Sequence, residues 1–349
     1  MSSSENYYIE VLTKIPIYLH QYIATILFII GNIGNLLSIL IFFKKSWKKN
    51  VCVFYFTVFL LNNTVFLNSA VLGSILIIGF NINVLNSNVI LCKIFYYIAY
   101  LCSTYLPCIL ICASIDRLLI SSQNVDTRLY SSKRLAYFFI STSLFVLSMF
   151  SVHVLIKVNI QQFTSTLFVC YYDFSKFYLN FFIYSTLIIS VVLSLALIIL
   201  SIIAFNNVRH IQIIPRQQRK QIRSMNKKDF QLLRCLYVHN IIYIICTIVL
   251  VVGLVYSTTI GYGNQNSFVQ AVNNFLNKFG GFLHYIPYCT SFFIFVCLSK
   301  AFRQELKRFV YKICGKDITI LQEEENKDLQ PARNNIDLNV VVNTIALAS

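Results

Sequence analysis

Seven apolar stretches, each long enough to cross a lipid bilayer as a helix, constrain this chain more than any other feature. They run at about residues 18–43, 51–80, 90–118, 135–156, 177–205, 230–257 and 271–299. A hydrocarbon core about 30 Å thick takes about 20 helical residues. In lipid, every backbone N–H and C=O must find its partner inside the protein, which a continuous helix provides. The breaks are polar: "KKSWKKN" at 44–50, "NINVLNSN" at 81–88, "SSQNVDTRLYSSKR" at 121–134 and "RQQRKQIRSMNKKD" at 216–229. The stretches are too long and continuous for barrel strands. Composition agrees, since only 12% of the 349 residues are charged, against roughly 25% in soluble domains. A soluble core of this size could not enclose so much Phe, Ile, Leu and Tyr. The expected fold is an all-α membrane protein, a seven-transmembrane helix bundle.

Charge orients the bundle. The formal net charge is +16, and 24 of the 29 Lys and Arg fall on one side when the N-terminus is placed opposite them. That side holds the four lysines of 44–49, then Arg117, Arg128, Lys133 and Arg134, the basic run from Arg209 to Arg234, and the residues after the last span. Only Lys14, Lys93, Lys157, Lys176 and Lys278 fall on the other. The positive-inside rule therefore predicts an outside N-terminus over 1–17 and a cytoplasmic C-terminus. The basic connections face anionic lipid, so nucleic acid is not an expected partner. The first 13 residues carry no Lys or Arg, so span one is expected to serve as its own insertion signal.

The same topology sorts the 11 cysteines. Nine lie inside spans or on the side where thiols stay reduced. Cys92, at the start of span three, and Cys170, between spans four and five, lie on the oxidising side, which favours a disulfide. Sequence leaves free thiols as the alternative. Cys314 follows an amphipathic stretch beside the inner leaflet and is a candidate for palmitoylation.

An adjacent Asp116 and Arg117 end the third apolar run in "ICASIDRLLIS" at 111–121, and Arg117 lies 25 residues after Cys92. With seven spans and an outside N-terminus, this resembles the rhodopsin-like (class A) G-protein-coupled receptors over about residues 18–315. In that resemblance "IDRLL" matches the Asp/Glu-Arg-Tyr motif, with Leu118 in the third place. It implies that Asp116 neutralises Arg117 in a closed state and that Arg117 turns to a heterotrimeric G protein when the helices part. "GNIGN" at 31–35 resembles the Gly-Asn pair of the first helix, with Asn35 as polar anchor. Asn63 in "LLNNTVFL" stands where the family has an Asp, which removes the charge of its sodium site. Ser291 opens "SFFIF" where the family shows Asn-Pro-x-x-Tyr. Span six lacks Cys-Trp-x-Pro, and the only Trp of the chain is Trp47. "KAFRQELKRFVYKIC" at 300–314 resembles the short membrane-parallel eighth helix. Phe302, Leu306, Phe309, Val310 and Ile313 lie on one face, and Arg303, Gln304, Lys307, Arg308 and Lys312 on the other. The domain plan is thus 1–17, a bundle over 18–299, the amphipathic helix 300–315 and a polar tail 316–349.

A ligand site must open to the outside. Candidates are Tyr96, Tyr100 and Ser103 of span three, Tyr184 of span five, and His284 and Tyr288 of span seven, all aromatic or polar-tipped residues suited to a pocket or a helix interface. Counting back from Arg117, Ala99 occupies the place of the amine-binding Asp of aminergic relatives. No acidic residue lies in the outer half of the predicted spans, so a biogenic amine would lack a counter-ion. A peptide ligand remains, with 157–174 as a lid. The five histidines are scattered and no nucleophile elbow, phosphate loop or metal-ligand spacing occurs, so neither enzyme chemistry, a cofactor nor a metal is expected. The alternative is a transporter or channel subunit of the plasma membrane. It would need polar groups along a pathway, and the chain shows no internal repeat of the kind transporters use.

Overall fold

The computed structural model describes residues 3–48, 50–121, 131–162, 168–173, 175–213, 227–260 and 266–314. Arg128, most of "RQQRKQIRSMNKKD" and the expected tail at 316–349 lie outside the described residues. By contacts the chain divides into two units, Met1–Ser299 and Lys300–Ser349.

In the first unit, six helices are long and apolar enough to cross a membrane: span one Glu5–Phe42, span two Val51–Gly79, span three Val89–Ile120, span four Lys133–Lys157, span five Phe177–Ala204 and span six Lys228–Ser257. Ser267–Cys289 and Ser291–Leu298, bent by 46° at Thr290, together make span seven. Pro287, three residues before the bend, has no N–H to give the preceding turn, which is an ordinary cause of a kink.

The helix of span one starts at Ser3, well before the apolar run that begins near residue 18. Nothing before Pro16 breaks it, and Glu10 and Lys14 pair along its surface at 2.6 Å, one turn apart. A π-helical turn, Leu19–Ala24, follows Pro16 and turns His20 inward, where its Nδ1 lies 2.8 Å from the Pro16 carbonyl. Capping side chains fix other starts. Asn50 accepts from Cys52 N at 2.9 Å before span two, and Ser132 accepts from Leu135 N at 3.3 Å before span four.

Spans two and three are the most enclosed and four and five the least. Span one reaches span seven closely because Gly31 and Gly34 face it. A Cβ on Gly34 would stand 2.6 Å from Phe292 Cβ, and one on Gly31 3.2 Å from Cys289 Cα.

Between spans four and five the chain forms a hairpin, β1 Val158–Gln162 and β2 Phe168–Tyr172, antiparallel with Cys170 opposite Ile160. Cys170 is bonded to Cys92, with 5.8 Å between their Cα atoms. Asn86 accepts from Cys170 N at 2.8 Å, and Leu85, Cys92, Tyr100, Val154, Val158 and Cys170 form a buried cluster there. The lid expected at 157–174 is therefore a short sheet tied to the top of span three, with 163–167 and 174 outside the described residues.

In the second unit, Lys300–Ile313 is a 14-residue helix with the apolar and basic faces read from the sequence. Phe302 is buried, Arg303, Lys307 and Lys312 are exposed, and the exposed Cys314 follows its last turn.

Candidate functional site

At the end of the bundle that carries the basic connections, span three delivers Asp116 and Arg117 into a buried position, 4% and 2% exposed. Arg117 Nε donates to Asp116 Oδ2 at 3.1 Å, and its Nη2 donates to the same oxygen. Ser131 Oγ donates to Asp116 Oδ1 at 2.6 Å, so both carboxylate oxygens are engaged. A buried guanidinium loses several kcal/mol of hydration unless ionic partners replace the water. A second partner comes from span six, where Asp229 Oδ1 lies 3.7 Å from Arg117 Nη1.

Asp229 was not singled out from the sequence, although a signal was present. It is the only acidic residue between Asp173 and Glu305, and it sits where the basic run meets the apolar span. Asn50 holds it from the other side, donating from Nδ2 to Asp229 Oδ1 while its own Oδ1 caps span two. Spans two, three and six thus meet around one arginine.

In the middle of the bundle, Asn35 Nδ2 donates to the Tyr288 carbonyl at 3.2 Å, and Asn63 Nδ2 donates to Ser291 Oγ at 3.1 Å. The three polar residues expected to form a core are all 0% exposed. Spans one and two each reach span seven, at neighbouring levels, without a direct bond between Asn35 and Asn63 among those described.

The sequence reading passed over two further polar residues, His239 and Asn240, a "HN" pair inside an otherwise apolar stretch. Asn240 Nδ2 donates to Ser114 Oγ of span three and Ser201 Oγ of span five, both at 3.2 Å. His239 is enclosed by Phe59, Phe295 and Phe56, with ring centroids 5.0, 5.4 and 5.9 Å away.

Just toward the disulfide end from this level, Ser103 Oγ lies 3.0 Å from His284 Nε2, and Tyr288 OH lies 3.4 Å from the same nitrogen. These three pocket candidates come together across spans three and seven. Tyr96 OH donates to the Cys170 carbonyl at 3.3 Å, so it braces the hairpin. Tyr100 is buried against His153 and Phe182, at 5.6 and 5.4 Å. Tyr184 does not join them. It is 50% exposed on span five, a position suited to lipid rather than to a site between helices.

The arrangement offers two polar assemblies joined by helices. One is a hydrogen-bonding cluster beneath the hairpin with no Asp, Glu, Lys or Arg among its members; the other is a guanidinium held between two carboxylates on different spans. The family model described as 7 transmembrane receptor (rhodopsin family) matches residues 34–299. No curated protein matches the sequence. The match takes in spans two to seven whole, the Cys92–Cys170 bond and the Asp116–Arg117–Asp229 cluster, and with most of the chain covered, this multi-pass membrane protein belongs to the rhodopsin family of seven-transmembrane receptors.

Proposed function

We propose that this chain is a G-protein-coupled receptor of the plasma membrane, with its N-terminus outside and its C-terminus cytoplasmic, which passes the binding of an extracellular peptide to a heterotrimeric G protein. The observation that carries the reading is Arg117, buried between Asp116 on its own helix and Asp229 on span six. An arginine held this way favours the closed bundle. When span six moves away, Asp229 goes with it, and Arg117 becomes available to the C-terminal helix of a Gα subunit. A ligand that prefers the open bundle shifts the equilibrium by its differential affinity for the two states.

The ligand reading rests on the disulfide end. Ser103, His284 and Tyr288 offer donors and acceptors without a formal carboxylate, so a small amine gains no counter-ion there. The hairpin fixed by Cys92–Cys170 gives an extended surface with paired strands, suited to a peptide. The helix Lys300–Ile313 is assigned to the inner membrane surface and Cys314 to palmitoylation, since a basic amphipathic face and a lipid chain together give stable anchoring.

The test is to express the chain in cells and screen a peptide library with calcium and cyclic-AMP readouts. A peptide that signals through the parent chain, and whose signal is lost in Arg117→Ala at matched surface expression, supports the reading. An epitope after Met1 that can be labelled only in permeabilised cells overturns the orientation.

A further inference from the structure

We propose that the link between spans one and two is a second latch on the inner end of span six, in which Asn50 and Trp47 are positioning residues that hold Asp229 and Lys228 and so keep Asp229 against Arg117. The proposal rests on the switch reading above and adds three residues to it, Asn50, Trp47 and Lys228.

The geometry involves two consecutive residues of span six. Asp229 Oδ1 accepts from Asn50 Nδ2 and faces Arg117 Nη1 from 3.7 Å. One carboxylate oxygen is thus shared between span three and the cap of span two. The preceding residue, Lys228, places its ammonium 5.4 Å from the Trp47 ring centroid. That is within the range for attraction by an indole face. Trp47 lies in the short helix Lys45–Lys48, is 1% exposed, and packs on Phe42 at 5.5 Å. Its ring is therefore a fixed surface set by span one.

Capping alone does not account for Asn50. Ser and Asp cap a helix about as well as Asn. Neither offers an amide that accepts from Cys52 N on one side and donates to a carboxylate on the other. Asn50 is the side-chain type that does both, across a sequence separation of 179. Releasing span six then means breaking three contacts that end on two adjacent residues: Arg117–Asp229, Asn50–Asp229 and Trp47–Lys228.

Trp47 is the only tryptophan of the chain, so its fluorescence reports the latch without any assumption about signalling. The experiment uses the full chain in lipid nanodiscs, as the parent, Asn50→Ser, Asn50→Asp and Lys228→Gln. Trp emission and its quenching by acrylamide are recorded, and basal signalling is measured in cells at matched surface expression. Asn50→Ser keeps the cap and loses the amide donor. Asn50→Asp keeps the cap and sets a carboxylate against Asp229. Lys228→Gln keeps the stem and removes the cation. The latch predicts red-shifted, more quenchable emission in all three, largest in Asn50→Asp, and a rise in basal signalling of about tenfold there, the size of a typical coupling between states. A purely capping role predicts that Asn50→Ser and Asn50→Asp both match the parent in emission and quenching, and that result overturns the proposal. Changed fluorescence with no signalling in any variant, parent included, keeps the latch and counts against the receptor reading instead.

Discussion

Arg117 on span three and Asp229 on span six approach to 3.7 Å, with the arginine 2% exposed and its own neighbour Asp116 on its other side. The cluster carries two carboxylates for one guanidinium, so the two acids are not equivalent. Asp116 is fixed to span three and also accepts from Ser131, and it stays with Arg117 whatever span six does. In the proposed switch, Asp229 is the partner that leaves.

The first prediction follows from that asymmetry. Asp229→Asn should raise ligand-independent signalling by about 5- to 150-fold, the span of typical couplings between conformational states. Asp116→Asn should raise it too, with an added loss of stability, because it leaves a buried arginine short of its nearest charge. Arg117→Ala should leave ligand binding largely intact, since the disulfide end lies at the far side of the bundle, and should abolish activation. Basal and stimulated signalling at matched surface expression checks all three. Parent-like signalling from each would reduce the cluster to a membrane-boundary charge group.

The second prediction concerns the Cys92–Cys170 bond. Cys92→Ser, Cys170→Ser and the double variant should lose stability and surface delivery to the same extent, about 2–4 kcal/mol where unfolding can be followed. Two cysteines acting as one unit give non-additive losses. A double variant much worse than either single would show that each cysteine contributes separately.

The third prediction contrasts two glycines. Gly34→Ala would put a Cβ 2.6 Å from Phe292 Cβ, between spans one and seven, and overpacking of this kind destabilises by about 1–3 kcal/mol. It should also weaken Asn35's bond to the Tyr288 carbonyl by pushing the helices apart. Gly281→Ala meets nothing within 4 Å and gains helix propensity of up to about 1 kcal/mol. Thermal midpoints of the two purified variants, measured in the same detergent, should move in opposite directions.

The apolar runs made spans two to seven legible to within a few residues at most ends, because lipid leaves a chain no other way to satisfy its backbone. The start of span one was not legible. Residues 3–15 lack a helix breaker, but Glu5, Glu10 and Lys14 interrupt the apolar signal that marks a span, so local propensity and the register inherited from the span decided it. At the proposed switch, Asp116 and Arg117 stand side by side and can be read as a pair. Asp229 and Asn50 are far from them in sequence, and their roles exist only once spans two, three and six pack. The same holds for Asn240, whose partners lie on two other helices, and for Tyr184, whose outward position depends on how span five rotates.

The last prediction takes up Asn240. It donates to Ser114 of span three and Ser201 of span five at 3.2 Å each, and it is fully buried. This clamp lies on the same helix as Asp229, about three turns further along span six, so both would resist the outward movement proposed for that end. Interhelical hydrogen bonds inside membranes average about 0.6 kcal/mol and reach about 1.7, so the pair together approaches the strength of a switch contact. Asn240→Leu keeps the volume and removes the donor. It should lower the thermal midpoint modestly and raise basal signalling several-fold. Ser114→Ala and Ser201→Ala should each do less, since the amide keeps one partner in either case. Combining Asn240→Leu with Asp229→Asn should give basal signalling at least as high as the product of the two single effects, because each removes a separate restraint on one rigid helix. If Asn240→Leu leaves basal signalling unchanged while lowering the midpoint, the clamp holds the fold and takes no part in the switch.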